Sequence, residues 1–315
     1  MRRLIDGILL LDKPAGITSN GALQRLKRLY QAKKAGHTGS LDPIATGMLP
    51  LCFGEATKFS QFLLESDKTY YVVAKLGERT NTADREGEII AKAATDAVTE
   101  QRILNLIPQF SGEIEQIPPM FSALKVQGKP LYELARQGIE IERQPRRIKI
   151  FSLAFDKLDL ANDEMSFYVH CSKGTYIRTL IDDIGLALGC GAHVIELRRL
   201  SVTPYQTNKM YTLQELEHIE KNLGHDGLLA CLLPVETAVR VFPEVTLTTS
   251  AAFYLRLGQP VRTALPLTSS LVRLVSEEAE FLGMGEVMTD GRVKPHRLLA
   301  LPAKAALPSG VSHDL

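Results

Sequence analysis

Strand-like and helix-like segments follow one another along this chain without a regular β-α-β period, and that irregular order constrains the fold more than any single residue. Gly7-Ile-Leu-Leu-Leu11 is a short apolar run ended by Asp12-Lys13-Pro14-Ala15-Gly16, a strand followed by a turn. Thr18 or Ser19 then caps a helix with Leu23, Leu26 and Leu29 on one side. Residues 70–76 have the β-branched and aromatic composition that strands favour. Residues 98–107 read as a short amphipathic helix. Residues 129–138 read as another, with Pro130 near its start and Gly138 just past its end. Residues 148–155 and 165–171 read as strands. In the second, Met165, Phe167, Val169 and Cys171 alternate and point one row at a core. Thr175 is expected to cap a helix running to Leu188, with Gly189 as its terminator. The mixture predicts an α+β fold: a mixed, largely antiparallel sheet flanked by helices.

The pattern changes near Leu233-Pro234-Val235-Glu236. Short strand-like pieces follow at 245–248, 271–275 and 281–287, and Asp290-Gly291 is a turn dipeptide leading into Arg292-Val293-Lys294. These features divide the chain into a domain over 1–239, a small β-rich domain over 240–303, and a tail over 304–315 expected to be disordered.

The 315 residues suffice to bury a sizeable core. A formal net charge of +1 does not announce a nucleic-acid binder, but its distribution says more. Arg2, Arg3, Arg25, Lys27, Arg28, Lys33 and Lys34 crowd the first forty residues, and Arg143, Arg146, Arg147 and Lys149 form a second cluster. Such patches either present a cationic face to phosphate or are solvated helix faces. Cys52, Cys171, Cys190 and Cys231 are dispersed. Cys190-Gly-Ala-His193 has no second half, so a zinc site is not expected, and the thiols suit a reducing, cytoplasmic setting. No stretch approaches the roughly 20 apolar residues that span a bilayer.

One segment concentrates chemistry. Asp42 precedes Pro43 and sits among Gly36, Gly39 and Gly47, with His37 and Thr38 nearby and Lys33 and Lys34 just upstream. By itself an Asp-Pro pair is an Asx-turn or a helix N-cap. A carboxylate, a ring and cations within ten residues also suit chemistry on a nucleotide.

Gly36-His-Thr-Gly-Ser-Leu-Asp42-Pro-Ile-Ala-Thr-Gly47 resembles the catalytic motif of pseudouridine synthases of the TruB family. Lys13-Pro-Ala-Gly-Ile-Thr-Ser19, Asp67-Lys-Thr-Tyr-Tyr71, Cys171-Ser-Lys-Gly-Thr-Tyr-Ile-Arg178 and Ile195-Glu-Leu-Arg-Arg199 resemble its other motifs, in order. Gln116-Ile-Pro-Pro-Met-Phe-Ser-Ala-Leu-Lys125 resembles a family segment that helps form an RNA-gripping insertion. The segment with Gly283-Met-Gly-Glu-Val287 and Gly291–Leu298 resembles, more briefly, a PUA-like RNA-binding domain.

The resemblance implies the pseudouridine synthase fold and a cofactor-independent, metal-free isomerase. Its expected substrate is a uridine at position 55 in the T arm of tRNA, and it is expected to act as a monomer without an obligate protein partner. Asp42 falls on the catalytic nucleophile, either attacking C1′ or promoting elimination at C2′. Arg178 falls on the residue supporting that carboxylate, and its positive charge is expected to favour the ionised form. His37, Tyr70, Tyr176 and Leu197 fall on substrate-binding positions. Tyr70 offers a ring to the uracil, and Leu197 offers either an aliphatic wall or backbone polar groups. Asp84 is a pocket residue or a turn residue. Two other readings stand beside this one. The first is an RNA-binding, tRNA-folding protein with secondary or different-site pseudouridylation. The second is a glycosidase of free nucleosides, for which no paired second carboxylate is evident.

Overall fold

The computed structural model describes residues 2–126, 128–263 and 269–300; the expected tail at 304–315 lies outside them. Seven strands run through the main sheet in the order Gly7–Lys13, Thr46–Phe53, Ala192–Val202, Lys68–Leu76, Glu164–Cys171, Arg146–Asp159 and Gly112–Gln116. An eighth, Ala35–His37, pairs with Thr46–Phe53 off this path. Among the described residues, only Ala192–Val202 against Thr46–Phe53 is parallel in this sheet; its other pairings are antiparallel. The sheet is therefore mixed and largely antiparallel, as the irregular order of segments implied.

One edge of the Thr46–Phe53 strand is shared. Thr46 and Gly47 pair with Arg198 and Arg199, whereas Leu51, Cys52 and Phe53 pair with His37, Gly36 and Ala35. The sheet forks along that edge, and the loop of residues 38–45 emerges from the fork carrying Asp42.

The longer helices cover one face. The first, Ser19–Leu29, begins at Thr18, whose side chain accepts from Gly21 N. Its buried Ala22, Leu23 and Leu26 pack with Leu180, Ile181 and Ile184 of the Ile177–Leu188 helix against Leu9, Leu49, Tyr70, Val72 and Val169 of the sheet. A helix at Leu213–Leu229 joins this core through Leu213, Leu216 and Leu228. Its start is a capping box between Thr212 and Glu215. The Ile177–Leu188 helix ends at Gly189 with φ of 85°, the left-handed cap that glycine favours. Its start differs from expectation. Tyr176 is the capping residue and supplies no side-chain cap, because Thr175 donates its hydroxyl hydrogen to the Ser172 carbonyl instead.

The other face of the sheet carries Ile8, Leu10, Met48 and Cys52, packed against Phe59, Leu63, Tyr205 and Val239. Met284 and Phe281 of the C-terminal sheet belong to the same apolar cluster, and the Phe59 and Phe281 rings lie 5.6 Å apart. That second sheet orders Glu244–Leu247, Leu271–Ser276, Phe281–Val287, Arg292–Leu298 and Val261–Arg262. It encloses a core of its own, including Val245, Leu247, Leu255, Val272, Leu274 and Val293. Among the described residues, no helix is long and apolar enough to cross a membrane.

Candidate active site

The Asp42 loop is held from three directions. Its entrance is fixed by Ser19, whose hydroxyl donates to the Leu41 carbonyl and accepts from Leu41 N. Lys13 lies fully buried, and its ammonium donates to the carbonyls of Pro14, Ile17 and Pro43. Its exit is Gly47 at φ of +97°, where a Cβ would stand 2.2 Å from the Arg199 carbonyl oxygen. Only glycine allows that strand to lie so close to Arg199. Ala45 N donates to the Asp42 carbonyl, which makes a turn. No helix follows, so the capping role considered for Asp42 is not the one its side chain takes.

The carboxylate turns to Arg178 instead. Arg178 Nε stands 2.8 Å from Asp42 Oδ2. The arginine sits in the first turn of the Ile177–Leu188 helix, its side chain only 5% exposed, while 39% of the Asp42 side chain stays open to solvent. Its other nitrogens are committed as well. Nη1 donates to the Thr82 carbonyl at 2.8 Å and lies 3.4 Å from Asp84 Oδ2, and Nη2 donates to the Phe121 carbonyl at 2.8 Å. Asp84, left between two roles by sequence, is buried at 6% side-chain exposure beside this guanidinium. Its carboxylate also accepts from the Thr82 hydroxyl and Glu86 N.

Burial pushes the Asp42 carboxyl above the ordinary carboxylate range. The Arg178 charge and hydrogen bond act against that rise, Asp84 adds to it, and Lys13 opposes it. Arg178 therefore favours the ionised form, as expected. The loss of water outweighs that effect.

Tyr70 is buried between Val169 and Arg199, its partners on the neighbouring strands. Burial raises its phenol, with the Arg199 charge opposing. Tyr176 is half-buried at the start of the Arg178 helix. Its phenol too is raised by burial, with Ser122, Arg146 and Arg178 acting against the rise. His37 is half-buried opposite Leu51, and its Nδ1 has no hydrogen-bond partner among the described residues. Burial and then the Arg199 charge lower its pKa, which disfavours the protonated ring. Leu197 lies opposite Val72 with its side chain buried in the main core. Arg178 thus touches both Asp42 and Asp84, and Tyr70 and Tyr176 lie within electrostatic reach of Asp42.

Two further residues carry no role from sequence although they stand in the quoted motifs. Lys13 is pulled down to about 8, first by burial. Arg199 is 1% exposed and donates to the Met48 and Gly39 carbonyls. After burial, its charge acts on Lys13, His37, Lys68 and Tyr70. The signal for it in the sequence is the charged pair Arg198-Arg199 within a largely apolar run; their partners are distant along the chain. The basic cluster at 143–149 leaves Arg146, Arg147 and Lys149 exposed, while Arg25 pairs with Glu217 across two helices.

Known proteins resemble this chain along most of its length. A family model described as TruB family pseudouridylate synthase (N terminal domain) matches residues 27–177. A second, tRNA pseudouridylate synthase B C-terminal domain, matches 178–240, and a third, Pseudouridine synthase II TruB, C-terminal, matches 243–299. A protein from Coxiella burnetii named tRNA pseudouridine synthase B is 53% identical over 298 residues, covering 95% of this chain and 96% of that protein. One of the same name from Shewanella sp. is 51% identical over 310 residues, covering 96% and 97%. Among solved structures, a Cbf5-Nop10-Gar1 complex matches with a TM-score of 0.72 at 28% identity, covering 94% of this chain and 85% of that one. An H/ACA RNP bound to a substrate RNA containing 2′-deoxyuridine matches with the same score at 25% identity, covering 95% and 86%. The chain belongs to the TruB family of pseudouridylate synthases.

Proposed function

We propose that this protein converts uridine to pseudouridine at position 55 in the T arm of tRNA, with Asp42 as the nucleophile. The observation that carries the proposal is the Asp42–Arg178 pair, a partly open carboxylate oriented by a buried arginine. In the reaction the N1–C1′ bond breaks, its electron pair stays on the base, and the base turns. A C5–C1′ bond then forms, C5 loses its proton and N1 gains one. Atoms balance without oxidant, water or metal. One ionised carboxylate at C1′ suffices to stabilise or trap the sugar while the base turns.

Arg178 keeps Asp42 in one orientation and favours its charged form. Tyr70 offers its ring to the extruded base, and bases so reached must leave their stack. His37, Tyr176 and Leu197 complete the substrate pocket in this reading. Residues 1–239 act as the catalytic unit and 240–303 as a PUA-like RNA-binding unit. The exposed Arg146, Arg147 and Lys149 suit phosphate contact. We further propose that the protein works in the cytoplasm as a monomer, with tRNA as its partner.

The test is to incubate the protein with unmodified tRNA transcript and map pseudouridine by a base-specific chemical adduct and primer extension. Asp42→Asn preserves shape and removes the negative charge. Modification at position 55 is the expected result, with turnover by Asp42→Asn lower by roughly 10⁴-fold or more while tRNA binding persists. Modification elsewhere, or tRNA binding with no modification, would return the chain to the different-site or RNA-folding reading. Activity on free uridine would favour a nucleoside glycosidase.

A further inference from the structure

Gln116 ends the Gly112–Gln116 strand and is buried, 3% exposed. Its side-chain amide reads both polar groups of one distant backbone unit. Nε2 donates to the Tyr176 carbonyl at 3.0 Å, and Oε1 accepts from Tyr176 N at 2.8 Å. Such a reciprocal pair imitates one rung of a sheet between residues 60 positions apart. Its target is the capping residue of the helix that carries Arg178, which supplies no side-chain cap of its own. The Tyr176 carbonyl also accepts from Leu180 N, so Gln116 fixes the orientation of the first helical peptide.

Gln116 is also the gatepost of the 117–145 segment. Across the sheet it pairs with Arg146, where that segment returns. Within the segment, the Phe121 carbonyl accepts from Arg178 Nη2. The segment exposes Ile117 and Ile139 to solvent. The segment is thus tied to the Arg178 helix through the guanidinium, and its base is tied to the same helix through Gln116.

We infer that Gln116 is a positioning residue. It holds the Tyr176–Arg178 turn in register with Asp42 and links that turn to the 117–145 segment. The inference rests on the assignment of Asp42 and Arg178 above. Gln116 itself is walled off from solvent, so it acts through Tyr176 and Arg178. Small displacements of oriented groups cost rate more than affinity, and about 1 Å can cost on the order of 100-fold.

Two near-isosteric variants test it. Gln116→Met removes both hydrogen bonds. Gln116→Glu keeps an acceptor for Tyr176 N–H but sets an oxygen against the Tyr176 carbonyl unless the acid is protonated. The readout is single-turnover release of tritium from C5 of uridine in a tRNA transcript, with enzyme in excess, beside the tRNA Kd. For Gln116→Met the expected result is a rate lower by about 10- to 100-fold with Kd changed by less than about threefold. For Gln116→Glu, the rate relative to wild type should rise as pH falls, because only the protonated acid donates to the carbonyl. The role is overturned if folded Gln116→Met reacts within about twofold of wild type, if its loss lies wholly in Kd, or if the Gln116→Glu ratio is flat with pH. Asp42→Asn run alongside separates the two readings. Turnover by that variant would remove the site assignment and this inference with it, whereas an inactive Asp42→Asn beside a fully active Gln116→Met removes only the positioning role.

Discussion

Arg178 meets Asp42 through Nε, at 2.8 Å, and spends its two terminal nitrogens on Asp84 and the carbonyls of Thr82 and Phe121. The planar guanidinium therefore serves as a bracket with a fixed direction, and its charge is only part of its use. Arg178→Lys keeps the charge and loses the bracket. The rate should fall at least about 100-fold, and the melting temperature should fall as well, because one ammonium cannot replace all the buried bonds of the guanidinium to Asp84 and to the Thr82 and Phe121 carbonyls. Single-turnover assays and calorimetry measure both; unchanged activity would show that another group orients Asp42.

The raised Asp42 pKa gives the pH profile a direction. The ionised form is the reactive one, so the rate should rise with pH through a value above that of a free aspartate and then level. The Arg178 charge opposes the rise in pKa, so Arg178→Met should move the acid limb to higher pH. Stability runs the other way. A carboxyl with a raised folded pKa binds its proton more tightly when folded, so its contribution is full below the unfolded pKa and is lost as pH rises through the folded one. Relative to Asp42→Asn, wild type should gain melting temperature as pH is lowered through the Asp42 titration.

Gly47→Ala should prevent the Thr46–Phe53 strand from seating. The added carbon would stand 2.2 Å from the Arg199 carbonyl oxygen, and the φ of +97° is unfavourable for alanine. Neighbouring backbone cannot yield as a flexible side chain would. Circular dichroism melts should show strong destabilisation. A wild-type melt would mean that the fork in the sheet is more adaptable than its packing indicates.

The parts of the fold that can be read from sequence are those whose structure is local. Gly7–Lys13, the Thr18-capped helix and Glu164–Cys171 follow from short-range pattern and from residues that cap or alternate. The Ala192–Val202 strand does not stand out, because Glu196, Arg198 and Arg199 interrupt its apolar run. Those charges make sense only in three dimensions, where Arg198 grips Asp12 and Arg199 reaches Met48 and Gly39. Thr46–Phe53 is masked by Pro50 and by the glycine near its start. The Leu213–Leu229 helix carries a Thr212-x-x-Glu215 start signal, but its acidic residues look first like a charge cluster. Asp42 is marked by its motif. The partnership of Asp84 with Arg178, far apart along the chain, has no local signature.

Arg146 and Arg147 are exposed at the start of the Arg146–Asp159 strand. If they bind phosphate, replacing both with Gln should reduce the slope of log Kd against log salt by about 0.7–0.9 for each phosphate no longer neutralised. An unchanged slope would make this cluster a solvated face. Because the Arg146 charge also reaches Tyr176, the single Arg147→Gln variant is the control that leaves the surroundings of the Arg178 helix unchanged.

Deleting everything after Val239 tests the proposed division of labour. Asp42, Arg178, Asp84, Tyr70, Tyr176, His37 and Leu197 all precede the cut, and the main core of helices and sheet is built without the residues removed. The truncated chain should therefore fold and keep its kcat. It should also be less stable than the full chain, a consequence that only the packing reveals. Phe59 loses Phe281, Phe62 loses Phe242, and Met284 and Leu299 leave the cluster that covers Ile8, Leu10 and Met48. Newly exposed aromatic surface of this kind favours aggregation, so the melt should be concentration-dependent. If the removed sheet binds tRNA, KM for full tRNA should rise, with a smaller change for an isolated T-arm hairpin. The comparison is KM and kcat on both substrates, with circular dichroism to establish folding. A folded protein whose kcat collapses on both would show that residues 240–303 help build the active site, and the two-unit scheme would be wrong.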